Sequence, residues 1–171
     1  METWDVYDRD RNLTGKQMNR GDTFDPGAYH LVIHVCIFNQ LGQMLIQQRQ
    51  PDKEDWKDMW DLTVGGSAIA SETSQQAAER EVKEEIGYIL NLRNRRPSLT
   101  VNFENGFDDY YLIENDLKTS NLSLPTEEVK QVKWASKEDI VDMISEGLFI
   151  PYHKSLIEVL FDMRNTMGSH G

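Results

Sequence analysis

The chain has 171 residues, 39% of them hydrophobic, with 29 acidic against 18 basic side chains and a formal net charge of −11. That length suits one domain spanning residues 1–171, and the acidic balance argues against a polymeric nucleic-acid surface, where lysine and arginine must replace phosphate counterions. No apolar run approaches the roughly 18 residues of a membrane span, Met1 to Asp10 lacks the pattern of a signal peptide, and the lone Cys36 excludes an internal disulfide, so the expected location is cytoplasmic with no membrane partner.

In chain order, Thr3–Asp8 and Leu13–Arg20 flank the turn-forming stretch Asp8–Asn12 and predict a hairpin or two short extended segments. Tyr29–Phe38 is rich in β-branched and aromatic residues; Asn39–Gln43 then supplies a turn before Met44–Gln48, which predicts a strand pair. Trp60–Val64 predicts a short strand running into Gly65-Gly66. Thr73 and Gln76 form a capping-box pattern, and Gly87 offers a C-terminal stop, so a helix is predicted over about 73 to 86. Leu99–Phe103 and Phe107–Ile113 bracket Asn105-Gly106 as a second hairpin. Val129–Ala135 reads as extended, Ser136 caps a helix through Ser145, and Tyr152 to about Arg164 is a last helix before a polar tail over about 165–171. Without a regular β-α-β alternation, these elements predict an α/β fold with a central mixed sheet flanked by helices.

On the first helix, Glu81, Glu84 and Glu85 fall within an arc of about 100°, beside an apolar stripe of Ala78, Val82 and Ile86. Like charges at this spacing repel, and a cation between them removes the penalty; hard oxygen ligands favour magnesium, or manganese. A solvated acidic face would show the same three residues, so their surroundings decide.

Those surroundings are Gly66, Glu72, and Arg80-Glu81-Val82-Lys83-Glu84-Glu85-Ile86-Gly87. They resemble the Nudix box: a glycine, five residues, a glutamate, seven residues, then R-E-U-x-E-E-x-G-U with U aliphatic. Only Tyr88, at the last aliphatic place, departs from it. The resemblance implies an α/β/α sandwich and a hydrolase that cleaves a diphosphate linkage in a nucleoside diphosphate derivative or related small diphosphate, by water attack on phosphorus. It implies that Glu84 and Glu85 ligate Mg²⁺, or Mn²⁺, that Glu81 is a ligand or the base, that the Gly65 carbonyl adds a ligand, and that Glu72 and Arg80 brace the loop. A further ligand or base is expected from a distant segment, either Glu127 and Glu128 or Asp108 and Asp109. The implied partner is a small-molecule diphosphate, and a homodimer is compatible with the family.

A longer likeness, within the same superfamily, is to isopentenyl-diphosphate isomerase. It runs through Tyr29-His30-Leu31, Phe38-Asn39, Gly42-Gln43, Arg49, Lys53, Trp56 and Trp60. There Arg49 and Lys53 match positions near the diphosphate, which makes them expected substrate-binding cations. The isomerase carries its catalytic cysteine in V-C-G-H, where this chain has Val64-Gly65-Gly66-Ser67. Of two further metal-binding histidines only His30 has a counterpart, the other falling near Thr23. Hydrolysis is therefore the leading expectation, with isomerase-like chemistry and a non-catalytic nucleotide-sensing module as alternatives. His30 and His34 share strand parity and are read as structural, while Trp56 and Trp60 either shape a pocket or pack in the core.

Overall fold

A computed structural model describes residues 1–125 and 127–171. Strands β1 (Thr3–Tyr7) and β2 (Leu13–Asn19) form an antiparallel hairpin of their own, with partners from Thr3↔Asn19 to Tyr7↔Leu13. Its Tyr7 bridges to Tyr29, which docks the hairpin beside the start of the main sheet.

The main sheet is built on β3 (His30–Phe38), an apolar strand that buries both of its faces. Leu31, Ile33, Val35 and Ile37 enter one core, with Ala77, Ala78, Val82 and Ile86 of helix α1 (Ser74–Ile86). Cys36 and Phe38 enter a second core on the opposite face, with Ile140 and Met143 of α2 (Lys137–Ser145) and Ile157, Leu160 and Phe161 of α3 (Lys154–Asp162). Alternate side chains of one strand thus contact helices on opposite sides, which makes the molecule an α/β/α sandwich.

Three more strands surround β3 and β4 (Met44–Arg49): β5 (Trp60–Asp61), β6 (Val64–Ser67) and β9 (Val129–Ala135). On the other edge of β3 lies the hairpin of β7 (Leu99–Phe103) and β8 (Gly106–Glu114), with β8 next to β3. Strand β3 runs parallel to β8 and antiparallel to β6, while β4 pairs antiparallel with β9 and β5, so the sheet is mixed.

Two expectations are corrected. The predicted β3–β4 pair meets only at Phe38↔Met44 among the described residues. The backbone edges of β3 pair instead with β8 on one side and β6 on the other, and β3 and β4 splay apart after their turn. Trp60–Val64 is not one strand: Trp60–Asp61 pairs with β4, and Val64 begins β6 against β3. The break falls at Leu62-Thr63, where the Thr63 hydroxyl donates to the Leu45 carbonyl and accepts from the Ile37 amide at 3.0 Å. No helix among the described residues is long and apolar enough to cross a membrane.

Candidate active site

Helix α1 carries the glutamate face, and its ends are fixed locally. Thr73 accepts from the Gln76 amide at 3.2 Å while the Gln76 side chain accepts from the Thr73 amide at 2.9 Å, so the capping box is closed. At the other end Gly87 takes φ 68°, a left-handed conformation that side chains disfavour, and its amide donates to the Lys83 carbonyl at 3.1 Å. The apolar stripe of α1 packs on β3, which turns Glu81, Glu84 and Glu85 toward β6 and a cleft of about 750 Å³.

Arg80 organises the cleft edge. Its Nε donates to Glu72 at 2.8 Å, and its Nη2 donates to Glu72 and to the Ser67 carbonyl, each at 3.0 Å. Glu72 also accepts from the Ile69 amide at 3.0 Å, which closes the loop between β6 and α1 on itself. The remaining Nη1 reaches Glu81 at 2.8 Å and Glu84 at 3.1 Å. Glu81 is nearly enclosed, with its side chain 13% exposed, whereas Glu84 is 58% exposed. Arg80 thus holds Glu81 and Glu84 on its guanidinium, and among the described residues no three His, Cys, Asp or Glu side chains converge on one metal-sized point.

The electrostatics of the trio ask for a cation. Burial pushes the Glu81 carboxyl up to about 7, against the pull of Arg80. Glu85 is raised well above the ordinary carboxylate value, first by withdrawal from water and then by Glu81, with one compensating bond from the Gln47 amide. All three glutamates occupy the C-terminal half of α1, where the helix dipole is negative and disfavours anions. Gly66 leaves the space that Glu81 fills: a Cβ there would lie well inside van der Waals contact with the carboxylate. A cluster of carboxylate oxygens beside glycine backbone, with Glu81 and Glu85 disfavoured as bare anions, fits a hard divalent ion.

The cleft brings together most of the residues named from sequence. Gly65, Gly66, Glu81, Glu84, Glu85, Arg49 and Lys53 line it, and Glu127 and Glu128 stand on its rim. Lys53 is ion-paired with Glu128, and Arg49 Nε donates to the Asp55 carbonyl at 3.3 Å.

Asp108 and Asp109 are not brought to the cleft. They alternate on β8, so Asp109 faces α1 and Asp108 faces the other helical layer. Asp109 is fully buried and receives Arg11, Ser74 at 2.6 Å and Thr100 at 2.7 Å. Asp108 bonds His34 Nδ1 at 2.7 Å. Tyr152 links the other side of His34 to Asp61, at 3.2 and 2.8 Å. Burial works against charging His34, but Asp108 outweighs it and raises the imidazole above its usual value.

His30 is stacked on Trp4 with centroids 4.5 Å apart, and burial lowers it to about 4. Trp60 packs beside the second core and under Lys133, whereas Trp56 is exposed, and neither lines the cleft.

Sequence reasoning overlooked Gln47, whose side chain donates to the Thr63 carbonyl at 2.9 Å and to Glu85. The available signal was an amide at the core-facing parity of Leu45 in β4. It also overlooked Glu2, Trp4 and Arg20, by which the N-terminal hairpin walls the cleft; nothing local in that segment marks them.

The sequence model of the NUDIX domain matches residues 28–158. This chain belongs to the Nudix family. A protein of Listeria innocua named an uncharacterized Nudix hydrolase is 49% identical over 170 residues, which cover 99% of each chain. An isopentenyl-diphosphate Delta-isomerase of Halorhodospira halophila is 35% identical over 68 residues, covering 40% of this chain and 39% of its own. Among solved structures, a Deinococcus radiodurans protein superposes with a TM-score of 0.75 at 21% identity, covering 93% of this chain and 97% of that one. The protein is a Nudix-type hydrolase, of a family that cleaves diphosphate linkages in small molecules and generally uses divalent metals.

Proposed function

We propose that the chain, acting as one domain, hydrolyses the diphosphate linkage of a nucleoside diphosphate derivative with Mg²⁺ held by Glu81, Glu84, Glu85 and the Gly65 carbonyl. The observation that carries this reading is the half-buried, mutually repelling Glu81–Glu85 pair beside the glycine backbone of β6, in a cleft that also holds Arg49 and Lys53. Mn²⁺ satisfies the same donor set. When bound, the ion neutralises phosphate charge and lowers the pKa of a coordinated water.

The chain's own residues supply the rest. Arg49 and Lys53 contact the diphosphate and hold it in register. Glu81 serves either as a ligand or as the base that accepts the proton of the attacking water. The water oxygen forms a bond to phosphorus as the bridging P–O bond breaks, and that electron pair leaves on the bridging oxygen. Glu72 and Arg80 hold the loop that carries the Gly65 and Gly66 backbone. Glu128, paired with Lys53, is the favoured distal carboxylate, with Glu127 beside it.

Isomerase chemistry is disfavoured on steric as well as chemical grounds. A Cβ at Gly65 would stand 2.7 Å from His34 Cδ2, and Asp108 and Tyr152 hold that ring in place. A cysteine at this position would have to displace His34. The test is a screen of nucleoside diphosphate derivatives and isopentenyl diphosphate, with Mg²⁺ and with EDTA, following phosphate and nucleotide release. Metal-dependent release from a nucleotide is expected; no release from any compound sinks the reading in favour of a sensing role.

A further inference from the structure

The densest run of cations in this acidic chain, Arg93-Asn94-Arg95-Arg96, has no part in the cleft. It lies in the loop between α1 and β7, where Arg95 and Arg96 meet Arg164, just past α3, around a second cavity of about 450 Å³. That volume lies within the roughly 300–1,000 Å³ of small-molecule pockets. The opposite wall is the end of β8, from Tyr111 to Glu114, and the cavity shares no lining residue with the cleft.

The two arginine-bearing segments are anchored, but their charges are not consumed. Gln75 of α1 donates to the Arg95 carbonyl at 2.8 Å, which ties the loop backbone to the helix while the Arg95 and Arg96 side chains stay exposed. Arg164 donates one N–H from Nη1 to the Phe161 carbonyl at 2.7 Å. Among the described residues none of the three forms an ion pair. Glu114 is the one carboxylate on the wall, so a positive excess survives there in a protein of net charge −11.

Guanidinium groups bind phosphate through forked N–H pairs, and they do so without an intervening metal. Asn94 and Ser98 add neutral polar groups on the same wall. We propose that this cavity is a second anion site, which takes the phosphate group of a small phosphorylated compound directly, whereas the carboxylates of the cleft would meet phosphate only across a cation.

Inorganic pyrophosphate is the probe, titrated calorimetrically into the full chain in EDTA so that no metal–phosphate complex can occupy the cleft. One saturable site is expected, with an affinity that falls as salt rises. The double variant Arg95→Ala/Arg96→Ala is expected to weaken it about tenfold or more, and Arg49→Ala/Lys53→Ala to leave it unchanged. Arg164→Ala is expected to weaken it too; since that side chain also ties off the end of α3, the exposed-loop double variant, checked for an unchanged melt, decides. Absence of saturable binding overturns the proposal, as does binding kept in the double variant or lost instead in Arg49→Ala/Lys53→Ala. Turnover is not the readout, so failure here is distinguishable from failure of the hydrolase reading.

Discussion

Asp109 and Glu85 sit toward opposite ends of α1, and the protein surrounds them differently. Asp109, fully buried, receives the Arg11 guanidinium and the hydroxyls of Ser74 and Thr100. Burial alone would raise its carboxyl, but these bonds outweigh it and hold the group below its ordinary value. Glu85, half-buried, receives one amide from Gln47, faces Glu81, and is pushed the other way. The contrast separates a carboxylate that stabilises the fold from one kept in an unfavourable state that a bound cation would relieve.

The sharpest way to break this comparison is to neutralise each group in turn. Glu85→Gln and Glu84→Gln are each expected to lower kcat by about 100-fold or more while the melting temperature changes little, because the amide oxygen can still accept the bond from Gln47 or Arg80 while the repulsion within the glutamate face falls. Near wild-type turnover in both variants would remove the site assignment. Asp109→Ala should do the reverse. It strands Arg11 and two hydroxyls, and a loss of about 2–4 kcal/mol is expected in urea unfolding, with kcat of the folded fraction within a few-fold of wild type.

Metal provides the next test. Saturating Mg²⁺ should raise the wild-type melting temperature by several degrees, since ligand at about 100 times its Kd contributes about 2.7 kcal/mol. The rise should vanish in the Glu84→Gln/Glu85→Gln double variant and persist in Asp109→Ala; equal rises in both would refute the contrast.

A smaller effect concerns pH. The folded-state value of Asp109 is depressed, so its contribution is fully present above the unfolded value of about 3.9 and is lost as pH falls through the lower folded value. Urea midpoints measured between about pH 2 and 5 should fall with acid in the wild type and fall less in Asp109→Asn. The mildest change is Gly66→Ala, whose Cβ would push the Glu81 carboxylate aside: a drop in kcat of about tenfold is expected, checked by turnover at saturating substrate.

The glutamates of the cleft were readable because their relation is local. A helix of known period and its capping box place Glu81, Glu84 and Glu85 on one face with no knowledge of the rest of the chain. The acidic pairs were not separable in that way. Strand parity tells that Asp108 and Asp109 point oppositely, but not that one direction ends at His34 and the other at Arg11, 98 residues away in sequence. Glu127 and Glu128 reach the cleft rim because β9 pairs with β4, and that pairing has no local signature either.

By itself the sequence determined the helix α1, its glutamate face, the box spacing and the order of strands and helices apart from the split at Leu62-Thr63, because each follows from short-range periodicity and turn chemistry. Tertiary structure alone decided that β3 leaves β4 for β8 and β6, that Gln47 answers Glu85, that His34 fills the space beside Gly65, and that Arg95 and Arg96 meet Arg164. Those are contacts between distant segments, set by how two helical layers close on one sheet, and no window of the chain contains both partners.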